Sequence, residues 1–580
     1  MRRSHVLILV VLLALLVGAA AWWRISPKPA AEAAAGARRG GQVVASIRGE
    51  PRSWNRLVDR TLQTEIVSAL TQARLVRINR ATFELEPWLA ERWEASDDGL
   101  TYTMHLREGI AWSDGTPFTA DDVVFSLEAL FVPGSGAVLG PALTVADRPI
   151  AARAADPHTV VFTYPAPSGP GIRLLDNLWI LPKHKLEASL RAGTFKDSWN
   201  TRTPPADVAG LGPFVLESYE PGQRVTFARN PRYWRRDAAG VPLPYLERVV
   251  LEIVGDQNTE LLRLTSGTLD IPAGELRPED YVVVKRAADT GGLALLDLGV
   301  GPDADSFWFL LKPEAKKADP RFAFLQRREF RQAISHAIDR QQFADTVYLG
   351  AAVPIWGPVT PGNPQWYWAD VPKYPHDLAR ARALLRGIGL EDRNGNGVVE
   401  DRAGTEARFT VLTQRGVSHY ERATRLLRDE VAKAGIALDI APLDITTMIG
   451  RMLEGNYDAI YYRFLLTDLD PGLARDFWWS SGSARVWNLA QASPATGWER
   501  RIDALMTEQV SAQDPARRRE IFNEVQRIFA ENLPILHFAA PRLYFAHSAR
   551  LRGVTPSTLR PNVLWNADTL SVADAAPGTN

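Results

Sequence analysis

Leu100, Tyr102, Met104 and Leu106 alternate with Thr101, Thr103 and His105, so "LTYTMHL" predicts a strand with one buried and one polar face. His105 falls on the polar side, where a solvated role is expected. "RVVLEIV" (Arg248–Val254) and "ARFTVLT" (Ala407–Thr413) predict further strands. Elsewhere the period changes. In "FRQAISHAIDRQQFADTVY", Phe330, Ala333, Ile334, Ala337 and Ile338 recur at helical spacing. "SHYERATRLLRDEVAKAGI" repeats the pattern with Ala423, Leu426, Leu427, Val431 and Ala434, and Gly435 supplies a helix stop. The mixture predicts an α/β body with lobes.

The stretch "HLREGIAWSDGTPFTADDVVFSL" (His105–Leu127) is rich in groups that do chemistry, yet each acid has a local structural task. Asp114-Gly115 reads as a turn. Thr119 precedes Asp122 by three residues and forms a capping box, and Asp121 and Asp122 favour the positive end of the helix. Val123, Leu127, Leu130 and Phe131 make the buried face. No residue is left over as a base or a metal ligand.

The N-terminus carries an uncharged apolar run from Val6 to Trp23, which as a helix spans about 27 Å, close to the hydrocarbon thickness of a bilayer. Trp22-Trp23-Arg24 favours an uncleaved interfacial anchor. Ala19-x-Ala21 also fits a cleaved secretory signal. On either reading the body is exported to the periplasm or another extracytoplasmic space. "SPKPAAEAAAGARRGG" (Ser26–Gly41) reads as a linker. The C-terminal "ADAAPGTN" reads as a frayed tail.

Composition narrows the chemistry. The 580 residues carry 67 basic and 67 acidic side chains, a balance that does not favour nucleic acid. The absence of cysteine excludes disulfides and thiolate chemistry. HExxH, GxSxG and P-loop patterns are missing, so no catalytic residue is assigned and no enzyme is expected. "DRNGNGVVEDRAG" starts like a calcium loop with Asp392, Asn394, Asn396, Gly397 and Glu400. Its twelfth position is Ala403 where a bidentate glutamate is needed, so neither a metal nor a cofactor is expected.

Several motifs occur together and in order. They are "LVRINRATFELEPWLAERWEASDDGLTYTMHLREGIAWSDGTPFTADDVVFSL", "GLGPFVLESYEPGQRVTFARNPRYW" (Gly210–Trp234), "FRQAISHAIDRQQFADTVYLGAAVPIWGPVTPG" and "YPHDLARARALLRGIGLEDRNGNG". In these the chain resembles the peptide/nickel-type family 5 of extracellular solute-binding proteins of ABC importers, from about Gly40 to Trp565. The resemblance implies a two-lobed clamshell of the periplasmic-binding-protein kind (type II-like, cluster C) with a small domain inserted in the first lobe. Its implied boundaries are a signal or anchor helix at 1–24, a linker at 25–41, lobe I at 42–76, 205–302 and 534–570, the insert at 77–204, lobe II at 303–533, and a tail at 571–580.

The resemblance also implies a guest between the lobes: a peptide or peptide-like solute, passed by a monomeric protein to a membrane permease driven by a cytoplasmic ATPase. In the dipeptide-binding branch, an Arg in a Gln-Arg step pairs with the ligand carboxylate, and an Asp ahead of an Asp-Pro step pairs with its amine. Gln414-Arg415 and Asp468 with Asp470-Pro471 match these, 53 positions separating Arg415 from Asp468. The acidic motif is one residue shorter than the usual Asp-x-x-Asp-Pro, so either Asp468 or Asp470 faces the cleft. Trp478 and Trp479, with Phe477 and Trp487, offer an aromatic wall for ligand side chains. Two rival readings remain: a membrane-tethered sensor or chaperone with the same clamshell, and a hydrolase with dispersed site residues.

Overall fold

The computed structural model describes residues 39–315, 319–463 and 469–573. The apolar run Val6–Trp23, nearly all of the linker, Asp468 and the last seven residues lie outside them. Among the described residues, no helix is long and apolar enough to cross a membrane.

Three sheets carry the architecture. In lobe I, Gln42–Ile47 pairs in parallel with Arg248–Ile253, and Arg224–Arg229 and Phe214–Glu220 continue the sheet antiparallel. Nested in that lobe is an antiparallel sheet of Ala90–Ala95, Thr101–Leu106, Thr159–Thr163 and Ala151–Asp156. Tyr102, Met104 and Leu106 are buried, as their alternation requires. The helix Ala120–Phe131 packs on this sheet and opens with the capping box of Thr119 and Asp122. Asp122 accepts from the backbone N–H of Thr119 (3.0 Å) and of Lys183 (2.9 Å), which makes it a structural acid.

In lobe II, Ala437–Leu443, Arg408–Gln414 and Ala459–Arg463 run parallel, and Asp305–Phe309 joins antiparallel to the last of them. The helical pattern beginning at Phe330 is two helices, Arg328–Ala337 and Arg340–Val347. Ile338 is extended between them, and Asp339 caps the second by accepting from the N–H groups of Gln341 and Gln342. The helix Ser418–Ala432 ends three residues before Gly435, whose φ of +91° suits the reversal.

The apolar side chains form two large cores. One joins the first lobe and the nested sheet, and takes in Phe545, Leu551 and Leu570 from the C-terminal end. The other runs from Phe307 to Ala539. Two segments pass between the cores, at 301–306 and 537–540. They lie side by side: Gly301 N–H donates to Pro541 O (2.8 Å), and His537 Nδ1 lies 3.2 Å from Asp305 O. A three-stranded sheet of Leu293–Val300, Ala539–Ser548 and Ala352–Pro354 flanks this crossing.

The tail bounded at 571–580 has its first two residues in the body, while the composition-defined "ADAAPGTN" begins after them. Ser571–Val572 pairs antiparallel with Leu551–Arg552, and the Val572 side chain packs over Gly41. That contact draws the first residues of the segment into the body.

Candidate functional site

The two lobes touch on both sides of a cleft. On one side Arg422 of lobe II reaches Glu279 of lobe I at 3.5 Å. On the other, Gly169 N–H in the nested domain donates to Val510 O (2.5 Å), and Arg475 pairs with Asp147 (2.6 Å). Leu469 packs with Ile78 and Leu559, and Leu473 packs against the first core. Bridged on both flanks, the lobes are in a closed arrangement.

Between them lie adjoining cavities of opposite character. A polar chamber of about 310 Å³ is lined by Arg48, Glu275, Arg277 and Arg560 from lobe I. Tyr348, Gln414, His419, Tyr420, Tyr462 and Arg463 line it from lobe II. A narrow neck bounded by Glu275, Asp303, Arg463 and Arg560 adjoins it. Beyond the neck, and sharing Pro302 and Asp303 with it, is an apolar chamber of about 270 Å³ walled by Val359, Phe477, Trp478, Phe522 and Ile535.

Strand ends aim the charges of the polar chamber. Arg463 ends the strand Ala459–Arg463, and Asp305 begins the neighbouring antiparallel strand directly opposite it. Arg463 Nε donates to Asp305 Oδ1 at 2.7 Å; Tyr348 and Tyr461 hydroxyls donate to Oδ2 at 2.5 and 2.8 Å. Burial would raise the Asp305 carboxyl, but Arg463 and the surrounding hydrogen bonds outweigh it and hold the group below the usual carboxylate range. Burial likewise opposes the charge on Arg463, and Asp305 reverses the balance, so the guanidinium stays firmly protonated. Burial pushes the His419 ring, 3.8 Å from Asp305, down to about 4.

Opposite, Glu275 faces Arg560 at 3.4 Å. Burial works against its ionisation, but the field of Arg560, with Arg463 and Arg48 behind it, holds its carboxyl below the usual range. The other lining arginines have carboxylates outside the chamber: Arg48 pairs with Glu260 (2.8 Å) and Arg277 with Asp280 (2.6 Å). Among the described lining residues Glu275 is the acid, against five arginines including Arg542. The chamber is an arginine-rich vessel with two acidic residues, Glu275 and Asp303, at its neck.

The residues expected from sequence are spread over this geometry. Gln414 lines the polar chamber. Arg415, the next residue, is exposed, and its Nη2 donates to Pro442 O at 3.2 Å. Asp468 lies outside the described residues. Asp470 lines the apolar chamber, but its carboxylate receives both terminal nitrogens of Arg518 (2.9 and 2.6 Å) and the N–H of Gly472 (2.8 Å). Trp478 is buried on the apolar chamber, edge-on to Phe477 and Phe522. Trp479 is half-buried, its Nε1 donating to Thr507 Oγ1 at 3.3 Å. Arg463, Asp305, Glu275 and Arg560 were missed. Their signal in the sequence is slight: a lone charge at the end of each apolar run "DSFWF" and "AIYYR". In the calcium-like loop, Asp392 accepts from Gly395 and Gly397 N–H, and Asn394 from Asn396 N–H, so these side chains close the turn on itself. Among the described residues no group of His, Asp or Glu side chains could hold a metal ion.

Two lobes closing over a buried, charged cleft define a clamshell binding protein. Comparison with known proteins makes this specific. The model of bacterial extracellular solute-binding proteins, family 5, matches residues 84–485. A probable ABC transporter-binding protein of Deinococcus radiodurans is 26% identical, over 84% of each chain. The periplasmic alpha-galactoside-binding protein of Rhizobium meliloti is also 26% identical, over 84% of this chain and 74% of its own. The solved structure of the oligopeptide-binding protein AppA of Bacillus subtilis, in complex with a nonapeptide, superposes with a TM-score of 0.72 at 23% identity, covering 93% of this chain and all of that one. The chain belongs to the bacterial extracellular solute-binding proteins, family 5, and is the extracytoplasmic solute-binding component of an ABC importer.

Proposed function

We propose that the cleft captures a zwitterionic peptide or peptide-like solute and delivers it to a membrane permease powered by a cytoplasmic ATPase. The observation that carries this reading is the pairing of a charged chamber with an apolar one across a single neck. A neutral sugar brings hydroxyls that need no charged partner and would leave the ionic groups of the polar chamber unused. A peptide brings a carboxylate for the arginines, an amine for an acid and side chains for the apolar chamber.

Arg463 and Arg560 are the proposed carboxylate partners, with Arg415 a further one beyond Gln414. Glu275 and Asp468 are the proposed partners of the amine. Aromatic contact with the ligand falls to Trp478, with Trp479 behind it. The protein acts as a monomeric carrier without turnover, exported and tethered through Val6–Trp23.

Native mass spectrometry of the protein purified from its own host should show a co-purified solute with a net or zwitterionic charge. Arg463→Gln should then weaken that solute by about 2–5 kcal/mol, measured by calorimetry. A neutral oligosaccharide in the spectrum, held equally well by the variant, would refute the proposal. Asp468→Ala with undiminished affinity would remove Asp468 from it.

A further inference from the structure

Arg560 faces the cleft with its side chain, but its backbone carbonyl is held by a residue that lines neither chamber. Arg80 Nε and Nη2 donate to Arg560 O at 3.2 and 2.9 Å. Arg80 lines a separate cavity of about 50 Å³, together with Arg74, Arg77, Trp88, Trp179 and Trp565. A single water needs about 10–15 Å³ on this measure, so the space admits a group of several atoms. The ion pairs around it do not balance. Arg56 takes Glu65 (2.9 Å), Arg74 takes Asp176 (2.8 Å), Arg77 takes Glu86 and Arg235 takes Asp568. Arg80 is left over. Its nearest carboxylate oxygen among the described residues, Glu65 Oε1, is 3.8 Å away and lies equally far from Arg74. Yet Arg80 is only 6% exposed. Burial, and after it the like charge of Arg74, pull its guanidinium down to about 10, so it stays charged at neutral pH. A buried charge without a counter-ion is costly.

Three donors are left to the cavity. Arg74 Nη2, Arg77 Nη2 and Arg80 Nη1 have no hydrogen-bond acceptor among the described residues. Unlike Arg74 Nε, none of the three is sealed from contact. Arg74 lies over the face of Trp179 (3.8 Å) and Arg77 over that of Trp88 (3.5 Å), which fixes their planes and leaves their N–H edges for an acceptor. Asp568 also lines the cavity, but Arg235 and the Tyr233 hydroxyl (3.0 Å) engage its carboxylate. We propose that this cavity is an anion site, separate from the cleft, that takes a small inorganic oxyanion, sulfate or phosphate, between Arg74, Arg77 and Arg80. An oxyanion supplies the charge that Arg80 lacks and presents acceptors on every side to three guanidinium edges. Bound there, it braces the backbone that carries Arg560, because Arg80 grips Arg560 O and Arg77 Nη1 donates to Trp565 O (3.2 Å). The site stands whatever solute the cleft carries.

Calorimetry on the full chain, titrated with sodium sulfate or sodium phosphate in a chloride buffer of constant ionic strength, should show one saturable site per chain. Thermal unfolding should rise over the same concentrations and then level off, whereas general salt stabilisation keeps climbing. Arg80→Met should weaken the anion roughly tenfold or more, with a cooperative urea transition showing that the variant is folded. Arg77→Gln, at a less buried position, should weaken it as well and supplies the test if Arg80→Met does not fold. The cleft also holds arginines, so Arg463→Gln separates the two places: it should leave anion binding unchanged. The absence of saturable binding, binding undiminished by the Arg80 or Arg77 substitution, or binding lost in Arg463→Gln would overturn the site.

Discussion

Asp305 organises the polar chamber from beneath. Its two oxygens take up Arg463, Tyr348 and Tyr461, so the guanidinium proposed to meet a ligand anion is held in place by the protein itself. The histidines nearby give a consequence in pH. His419 and His537 are held near 4 by burial, whereas an unfolded imidazole takes its proton near 6.5. Between those values the unfolded chain binds more protons than the native one. Stability from this source is therefore complete above about pH 6.5 and declines as the pH falls towards 4. Urea midpoints at pH 4.5 and 7.5 should show the loss, and His537→Phe should flatten the slope. None of this was legible along the chain. Asp305 and Arg463 are 158 positions apart and meet only because two antiparallel strands bring their ends together. Local pattern carries the alternation of "DSFWF" and "AIYYR", but not their register.

At the scale of elements, local rules did better. The capping box at Thr119 follows from spacing because its contacts lie within a few residues, and the strand Thr101–Leu106 follows from its alternation, although its partner Thr159–Thr163 is distant. The break at Ile338 also obeys a local rule, the cap at Asp339, which the continuous helical period concealed. Asp470 is the instructive case. Its Asp-Pro step could signal a turn or a ligand contact. The structure shows a carboxylate that caps the turn Pro471–Leu473 and clamps it to Arg518 on the helix Pro515–Asn532. Both side chains are buried, so removing one charge strands the other. Asp470→Asn should cost about 3–5 kcal/mol of stability in chemical denaturation, and replacing Arg518 by Met in the same chain should restore part of it. The helix that supplies Arg518 lies 48 positions away, beyond the reach of a sequence pattern.

For the whole molecule, closure depends on how tightly the lobes approach. Gly169 is the nearest point on one flank: a Cβ built there would lie 2.5 Å from both Ala512 O and Arg518 Nε. Gly169→Ala should therefore hold the nested domain away from lobe II without disturbing either core. If the closed population falls tenfold, the apparent dissociation constant rises about tenfold. Small-angle scattering with saturating solute should then find the variant larger than the parent. The two-lobed plan was open to recognition from the ordered motifs, since these are the strands, turns and helices of the scaffold. The residues of the polar chamber were less so, because each is placed by a partner on another segment.

One feature of the crossing has kinetic weight. The segments 301–306 and 537–540 join the lobes, and Pro302, Asp303, Ala304, Ser306 and His537 from them also wall the apolar chamber. The axle and the keyhole are thus the same piece of chain. A guest of the right bulk lets the axle settle, whereas one too large would wedge it. Such a misfit could dock yet never be shipped, so cargo would be vetted by swing rather than by stickiness.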